Sequence, residues 1–156
     1  MNLSSSATTV ENVLTKAGVW LQPLLLLAMR LYWGWQFTVT GWSKIAHLTR
    51  TAGYFESLGL PLPMVSAVSA GLVECVGGLL LLLGLFSRIA SAALVVVMVV
   101  AYLTAERMAL AGLLGIWGGP EDFVRAGPFL YLLTALIVLA FGPGKLSLDT
   151  VIRKKG

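Results

Sequence analysis

Four long apolar stretches separated by short polar links dominate the pattern of the chain. They run roughly over residues 20–42, 64–86, 89–105 and 126–141. A helix needs about 20 mostly apolar residues to cross the hydrocarbon core of a bilayer, so each stretch is a candidate span. Because consecutive spans must run in opposite directions, the pattern predicts an all-α integral membrane protein, built as an antiparallel four-helix bundle.

The segments outside these spans differ in character. Residues 1–18 are polar and rich in Ser and Thr, which predicts a flexible start that leads into an interfacial turn. Residues 106–125 contain the apolar run "MALAGLLGIW", which is too short to cross. We expect it to form an interfacial segment between helices 3 and 4. Residues 19–149 then make up the transmembrane domain, and residues 150–156 form a basic tail.

Composition favours a membrane protein over a soluble domain. Apolar residues make up 58% of the chain and charged residues 12%, and the mean hydropathy is +0.88. A soluble domain of 156 residues cannot bury that much apolar surface. The lipid bilayer is therefore the first partner that the sequence predicts.

The distribution of basic residues predicts the orientation. Six Lys and Arg residues lie on the side that holds both termini and the link between spans 2 and 3, against four on the other side. Cytoplasmic loops are enriched in Lys and Arg, so both termini are expected in the cytoplasm. The final "RKKG" is typical of an anchor beside anionic lipid, and nucleic acid is not expected as a partner.

Two charged residues interrupt the apolar spans. Arg30 lies about ten residues after the start of span 1, and Glu74 about twelve residues before the end of span 2. At 1.5 Å per residue, both would lie about 15–18 Å deep. A lone charge at that depth costs at least about 2.5 kcal/mol to insert, which favours pairing. Small residues such as Gly77 and Gly78 allow close helix packing, so the sequence predicts an Arg30–Glu74 ion pair inside the bundle.

Two interpretations of this pair remain open. In the first, the pair is structural and fixes which helices pack together. In the second, it lines a site, because charges inside a membrane are functional candidates. Arg30, Trp33 and Glu74 would then hold a quinone head group. The arginine would donate to a carbonyl oxygen, the carboxylate would accept or relay a proton, and aromatic rings would pack against the flat molecule.

The remaining reactive residues are few. The single cysteine, Cys75, excludes an internal disulfide or a dithiol motif, and the single histidine, His47, excludes two axial haem ligands from this chain. The sequence carries no metal-ligand constellation, phosphate loop or catalytic triad. Lys44 and Arg88 are expected to anchor helix ends at the membrane interface.

The order of several short motifs resembles the DoxX family of small four-helix bacterial membrane proteins. Over roughly residues 24–149, the matching stretches are "GWSKIAHL", "FESLGLPLP", "ECVGGLLLLLGLFSRIAS" and "GPGKLSLD". The Glu-x-x-Gly-Gly block, the Gly-Leu-x-x-Arg that follows it and the terminal Gly-Pro-Gly-x-x-Ser-Leu-Asp are the specific parts. Arg30, Lys44, Glu74 and Arg88 match the polar pattern of the family.

This resemblance implies a location in the bacterial inner membrane and a link to redox enzymes. The first hypothesis is a membrane subunit or partner of a quinone-linked oxidoreductase of the respiratory chain, with other membrane or redox subunits as partners. Some relatives carry a histidine late in span 3, where this chain reads "AYLTAERM" and has none. The alternative is a non-catalytic, structural accessory subunit. A stand-alone enzyme is disfavoured because neither paired cysteines nor paired histidines are available to hold a redox group.

Overall fold

Helices are the only regular secondary structure in the described part of the protein. A computed structural model describes residues 3–116 and 118–153, and every regular element within those ranges is an α-helix. In chain order the helices are α1 (Leu3–Ala46), α2 (Leu48–Ser57), α3 (Pro63–Leu83), α4 (Ser87–Thr104), α5 (Arg107–Leu113), α6 (Pro120–Arg125), α7 (Phe129–Phe141) and α8 (Leu148–Arg153). The predicted all-α class is confirmed.

Three of these helices, α1, α3 and α4, are long and apolar enough to cross a membrane. Helices α3 and α4 agree with predicted spans 2 and 3 to within three residues at each end. Helix α7 has 13 residues. This corresponds to about 20 Å, shorter than a hydrocarbon core of about 30 Å. It begins at Phe129 rather than at residue 126, because Gly127 and Pro128 stand before it. Helix α7 is therefore shorter than the predicted fourth span, and the predicted antiparallel four-helix bundle is not confirmed.

Helix α1 is much longer than the span predicted within it. It has 44 residues, and the flexible start expected for residues 1–18 is instead helical from Leu3 onward. Neither glycine nor proline occurs before Gly18, so the segment contains no strong helix breaker. Met1 and Asn2 lie outside the described residues, as do positions 154–156 of the predicted basic tail.

The segment between the third and fourth apolar stretches forms two short helices. Helix α5 has 7 residues and α6 has 6, so neither could cross a bilayer. Tyr102 near the end of α4 donates a hydrogen bond from its hydroxyl to the Phe123 carbonyl of α6 at 2.9 Å, and their rings stack with centroids 4.4 Å apart. These contacts attach α6 to the end of α4.

A tight turn joins α3 to α4. Gly84 ends α3 in the left-handed conformation, with φ of +69°, which glycine adopts without steric cost. Phe86 precedes α4 with φ of +46°, a conformation that is unusual for a residue with a side chain. Because the link between them is this short, α3 and α4 form a helical hairpin.

Helices α1 and α3 pack with their backbones in close contact. A Cβ built on Gly78 of α3 would lie 2.6 Å from the Thr38 backbone nitrogen and 2.7 Å from the Gly34 oxygen of α1. A Cβ built on Gly41 would lie 2.7 Å from the Gly71 oxygen. These glycines allow the two helices to approach as small residues do in membrane proteins. They also fix the register, because Gly34 lies opposite Gly78 and Gly41 opposite Gly71.

An apolar cluster fills the middle of the bundle. Its fully buried members come from α1, α3, α4 and α7, and they are Phe37, Leu81, Leu94, Met98, Ala135 and Val138. Charged residues lie on both sides of this cluster. Lys44 and Glu74 lie beyond one side of this cluster, and Arg30 lies beyond the other.

Candidate functional site

The carboxylate of Glu74 forms an ion pair with Lys44. Glu74 lies in the middle of α3 and its side chain is 3% exposed, whereas the Lys44 side chain, in the last turn of α1, is 29% exposed. Lys44 donates a hydrogen bond from Nζ to Glu74 Oε2. The close packing at Gly41 and Gly71, one turn earlier on each helix, brings the two side chains within reach.

The structure does not bring Arg30 to Glu74 as predicted. The buried guanidinium of Arg30 donates to the Pro143 carbonyl and, at 2.9 Å, to the Leu146 carbonyl. It also lies beside Gly84, where an added Cβ would be 2.8 Å from Arg30 Nη1. Gly84 is ten residues beyond Glu74, which is about 15 Å along α3. The expected Arg30–Glu74 pair is therefore replaced by a Lys44–Glu74 pair at one level and an arginine–carbonyl contact at another.

A largely apolar cavity adjoins the Lys44–Glu74 pair. Its volume is about 490 Å³, within the size range of small-molecule sites. Helices α1 to α4 and the start of α7 contribute to its walls. The polar contributions include Thr40, Ser66, Ser69, Thr104 and Tyr131, and the buried charge in its wall belongs to Glu74. A ligand in this cavity would thus meet one charged pair within an apolar enclosure.

Trp33, the third predicted site residue, contacts this cavity only through a neighbour. Its ring packs edge-on against Tyr131, with centroids 4.8 Å apart, and the Phe37 ring also packs edge-on against Tyr131 at the same distance. Tyr131 lines the cavity, but Trp33 does not. Trp33 and Phe37 therefore support the position of the Tyr131 ring.

A second, polar cleft touches Lys44 from the other side. Its walls come from the end of α1 and from α2, and they include Ser43, His47, Arg50 and Thr51. Lys44 belongs to the walls of both spaces. Lys44 therefore borders both spaces and pairs with Glu74, rather than acting only as an anchor at the membrane interface, as the sequence had suggested.

The opposite end of the bundle is closed by the segment between α7 and α8. Besides the contacts of Arg30, Asp149 accepts hydrogen bonds from the backbone nitrogens of Phe86 at 2.8 Å and Ser87 at 2.9 Å. Its own nitrogen donates to the Gly84 carbonyl at 2.9 Å. We call these contacts of residues 143–149 the C-terminal clasp. Asp149 in effect caps the start of α4 from a distant part of the chain.

The environment of Asp149 stabilises its charged form. Burial raises the pKa of this carboxyl group, but the hydrogen bonds from Ser87 and Phe86 and the positive charge of Arg30 outweigh burial. The net pKa is therefore below its ordinary value. Arg88, predicted to be an interface anchor, lies at the same end and is 3.5 Å from the Ala140 carbonyl at the end of α7.

Within the described residues, no group of three His, Cys, Asp or Glu side chains is placed to hold a metal ion. Cys75 is a free thiol beside the close approach of α1 and α3, where a Cβ on Gly41 would meet its backbone. Its position indicates a packing role. The reactive groups of the cavity are thus those of Lys44, Glu74 and Tyr131.

The role of Lys44 was missed because it was assigned to the membrane surface. A signal was present in the sequence: Gly41 and Lys44 are spaced by three residues, as are Gly71 and Glu74. Lys44 and Glu74 lie one turn beyond the contact of these two glycines in opposite directions, because the helices are antiparallel. Both side chains lean back toward the contact, since Cα–Cβ bonds tilt toward the helix N-terminus. The same argument gives no partner to Arg30 on α3, since its contacts come from residues after α7.

Comparison with known proteins shows which family of membrane proteins this chain is similar to. The family DoxX matches residues 25–107, which include Arg30, Lys44 and Glu74. "Uncharacterized membrane protein Rv3486" of Mycobacterium tuberculosis is 35% identical over 137 residues, covering 85% of this chain and 84% of that protein. No solved structure matches the chain.

Two further relatives carry informative names. "Putative oxidoreductase CatD" of Bacillus subtilis is 30% identical over 128 residues, covering 82% of this chain and 87% of that protein. "Inner membrane protein YphA" of Escherichia coli is 36% identical over 67 residues, covering 43% of this chain and 48% of that protein. The family match and the long alignments agree with the motifs and the apolar helices, and the chain belongs to the DoxX family of membrane proteins.

Proposed function

We propose that this protein is a membrane subunit or partner of a quinone-linked redox system, and that the cavity at Lys44 and Glu74 receives the quinone head group. The observation that carries the proposal is the buried Glu74 carboxylate in the wall of a largely apolar cavity. The name of the Bacillus subtilis relative supports a redox role. The site differs from the Arg30–Glu74 site expected from the sequence, because Lys44 takes the place of Arg30.

The side chains around the cavity fit a quinone head group. Lys44 Nζ is a donor for a carbonyl oxygen, and the Glu74 carboxylate is an acceptor for the hydroxyl of the reduced form. The Tyr131 ring offers a flat face held by its two aromatic neighbours. A bound quinone would supply two-electron, two-proton redox chemistry. The residues of this chain would bind and orient the head group and exclude water from it.

The wider arrangement that we propose is a four-span bundle in the bacterial inner membrane, with α7 as the fourth span. The name of the Escherichia coli relative supports the location. The contacts of residues 143–149 with the α3–α4 turn, and of Gly144 with Leu26, bring three parts of the chain to one end of the bundle. With the basic residues counted above, this arrangement favours a cytoplasmic location for that end.

A structural role is the second candidate, and one observation favours it. The Lys44–Glu74 pair directly joins α1 to α3, next to the closest approach of the two backbones. Such a pair could hold the bundle together without any ligand. In that case the protein would be a non-catalytic accessory subunit of a larger membrane complex.

Quinone content after gentle purification distinguishes the two candidates. We would extract the protein from its native membrane in mild detergent, then measure quinone per chain and co-purifying proteins by mass spectrometry. The variants are Glu74→Gln, Lys44→Met and the double variant, with Arg88→Met at the opposite end as the matched control. We expect near-stoichiometric quinone in the wild type and in the control, and a loss of about tenfold or more in the site variants.

Two results would overturn the quinone proposal. One is a wild-type protein that carries no quinone even after incubation with ubiquinone and menaquinone. The other is a set of site variants that retain as much quinone as the control. Stoichiometric recovery with a larger membrane complex, without quinone, would establish the accessory role instead. The double variant keeps the test valid, because removing both charges avoids a buried, unpaired carboxylate.

A further inference from the structure

Helices α3 and α4 pack tightly near their turn and separate farther from it. A Cβ built on Gly77 would lie 3.1 Å from the Leu94 side chain, so the two helices are in close contact at this level. One turn farther from the hairpin, Val73 and Glu74 of α3 and Val97 of α4 line the cavity. The cavity therefore begins where the α3–α4 contact ends, and it occupies the gap between the two helices.

The cavity wall between α3 and α4 reaches the outer surface of the bundle. Ser69 of α3 and Val96 and Val100 of α4 line the cavity and are also exposed, Val96 by 62% and Val100 by 40%. Val100 is the fourteenth residue of α4, which places it about 20 Å along that helix. That distance falls within a hydrocarbon core of about 30 Å, so this opening would face lipid tails rather than water.

The end of the cavity farthest from the α3–α4 turn is lined by apolar groups. They come from Phe55 of α2, from Leu58 and Leu60 of the following link and from Pro128 before α7. A molecule dissolved in the bilayer would meet the opening between α3 and α4 directly.

We propose that the ligand of this cavity is a membrane-dissolved molecule with a long apolar tail, which enters between α3 and α4. Its polar head lies against Lys44 and Glu74, and its tail leaves past Ser69 and Val100 into the bilayer. The inference rests on the proposed function, since it concerns the same cavity, and it adds the route of entry and the requirement for a tail. The tail would stay in an apolar medium throughout, so only the head needs recognition by the protein.

A pair of tryptophan substitutions tests the route. Val100→Trp narrows the opening, whereas Val99→Trp adds the same bulk to the neighbouring residue, which is 42% exposed and does not line the cavity. The probes are ubiquinone and menaquinone with full isoprenoid tails, and the corresponding tail-less head groups. Purified protein in quinone-free lipid nanodiscs would be incubated with each probe and passed through a sizing column. The probe retained per chain is the amount in excess of that held by protein-free nanodiscs of the same lipid.

We expect the wild type and Val99→Trp to retain a tailed quinone at least about tenfold better than its tail-less head group. Val100→Trp should reduce retention of the tailed form by about tenfold, to the level of the tail-less form, because crowding a filled opening costs on the order of 1–3 kcal/mol. Equal retention of both forms by the wild type would overturn the tail requirement and leave the proposed function standing. Equal retention by Val100→Trp and Val99→Trp would overturn the route. Retention of no probe by the wild type would overturn both proposals.

Discussion

Lys44 at the end of α1 and Glu74 in the middle of α3 form an ion pair in which the carboxylate is buried and the lysine borders both an apolar cavity and a polar cleft. Because the carboxylate is cut off from water, it depends on this one cation. The pair also explains why a carboxylate is tolerated within an otherwise apolar helix.

Removing Lys44 alone should therefore destabilise the protein more than removing both charges. We expect Lys44→Met to lower the free energy of unfolding by about 2–3 kcal/mol, below the usual cost of breaking a buried pair because Lys44 is partly exposed. The Lys44→Met/Glu74→Gln double variant should recover at least about 1 kcal/mol of this loss. Thermal unfolding in a single detergent measures each variant. Strictly additive losses in the double variant would show that the two charges are not coupled.

The packing of α1 on α3 should tolerate no side chain at Gly41. A methyl group there would meet the backbone of Cys75 and lie 2.7 Å from the Gly71 oxygen, and backbone atoms cannot rotate away. We expect Gly41→Ala to cost about 2–3 kcal/mol of stability. Gly53→Ala is the control, since Gly53 lies in α2 with nothing within 4 Å of an added Cβ. That change should stabilise by about 0.5–1 kcal/mol. Equal melting temperatures for the two variants would contradict the close approach.

The ends of the helices could be predicted from the sequence better than the register, that is, which residues of neighbouring helices lie opposite each other. Spans 2 and 3 are bounded by Pro63, Gly84 and the short turn, which fix helix ends through local backbone preferences. The start of span 1 has no such marker, because α1 continues without a breaker from Leu3. Depth counted from an assumed start at residue 20 therefore placed Arg30 opposite Glu74, whereas the glycine contacts place it near Gly84.

Within the candidate site, the sequence predicted Glu74 but not its partner Lys44, because the partner depends on the register between helices. Glu74 stands out because a carboxylate in an apolar helix needs a partner, and this argument uses only local sequence. Its partner could not be identified from depth alone. The depth count placed Arg30 level with Glu74, but Arg30 lies beside Gly84, ten residues farther along α3, and Lys44 pairs with Glu74 instead. The cavity depends on how α3 and α4 diverge beyond Gly77, which is a property of tertiary packing that hydropathy does not encode.

Topology gives a prediction that a pair of fusions can check. If the end that carries the C-terminal clasp is cytoplasmic, green fluorescent protein fused after the last residue should be bright, and alkaline phosphatase fused there should be inactive. A phosphatase fused after Leu114, between α5 and α6, should be active, because that position lies at the opposite end of α4. The reverse pattern of activities would show that the orientation proposed from the basic residues is wrong.

Arg30 should hold the C-terminal clasp closed against protease. Its guanidinium donates to the carbonyls of Pro143 and Leu146, on either side of the exposed Lys145. Loss of two hydrogen bonds from a charged donor costs on the order of 2–3 kcal/mol, which would raise the open population by about tenfold or more. In Arg30→Met, trypsin should therefore cleave after Lys145 at least about tenfold faster than in the wild type. Mass spectrometry of the shortened chain follows the reaction, with Arg125→Met as the control. Unchanged cleavage would mean that the segment is held by other contacts.

The stability that Asp149 contributes to the folded protein should decrease when the pH is lowered and should not decrease when the pH is raised above neutrality. The folded state lowers the pKa of this carboxyl group, so the stability it provides is fully present above the ordinary aspartate pKa of about 4. That stability is lost as the pH falls through the lowered pKa of the folded state. Protonation removes the negative charge and leaves the two oxygens weaker acceptors for the Phe86 and Ser87 nitrogens.

At pH 7 we expect Asp149→Ala to lower the free energy of unfolding by about 1–2 kcal/mol, the usual cost of losing a helix cap. The difference from the wild type should stay constant down to about pH 5 and shrink below about pH 4. Thermal unfolding at several pH values in the same detergent measures it, and Glu11→Ala removes an exposed carboxylate of α1 as the control. A difference that persists unchanged to pH 3, or that grows on acidification, would show that the charge of Asp149 does not stabilise the start of α4.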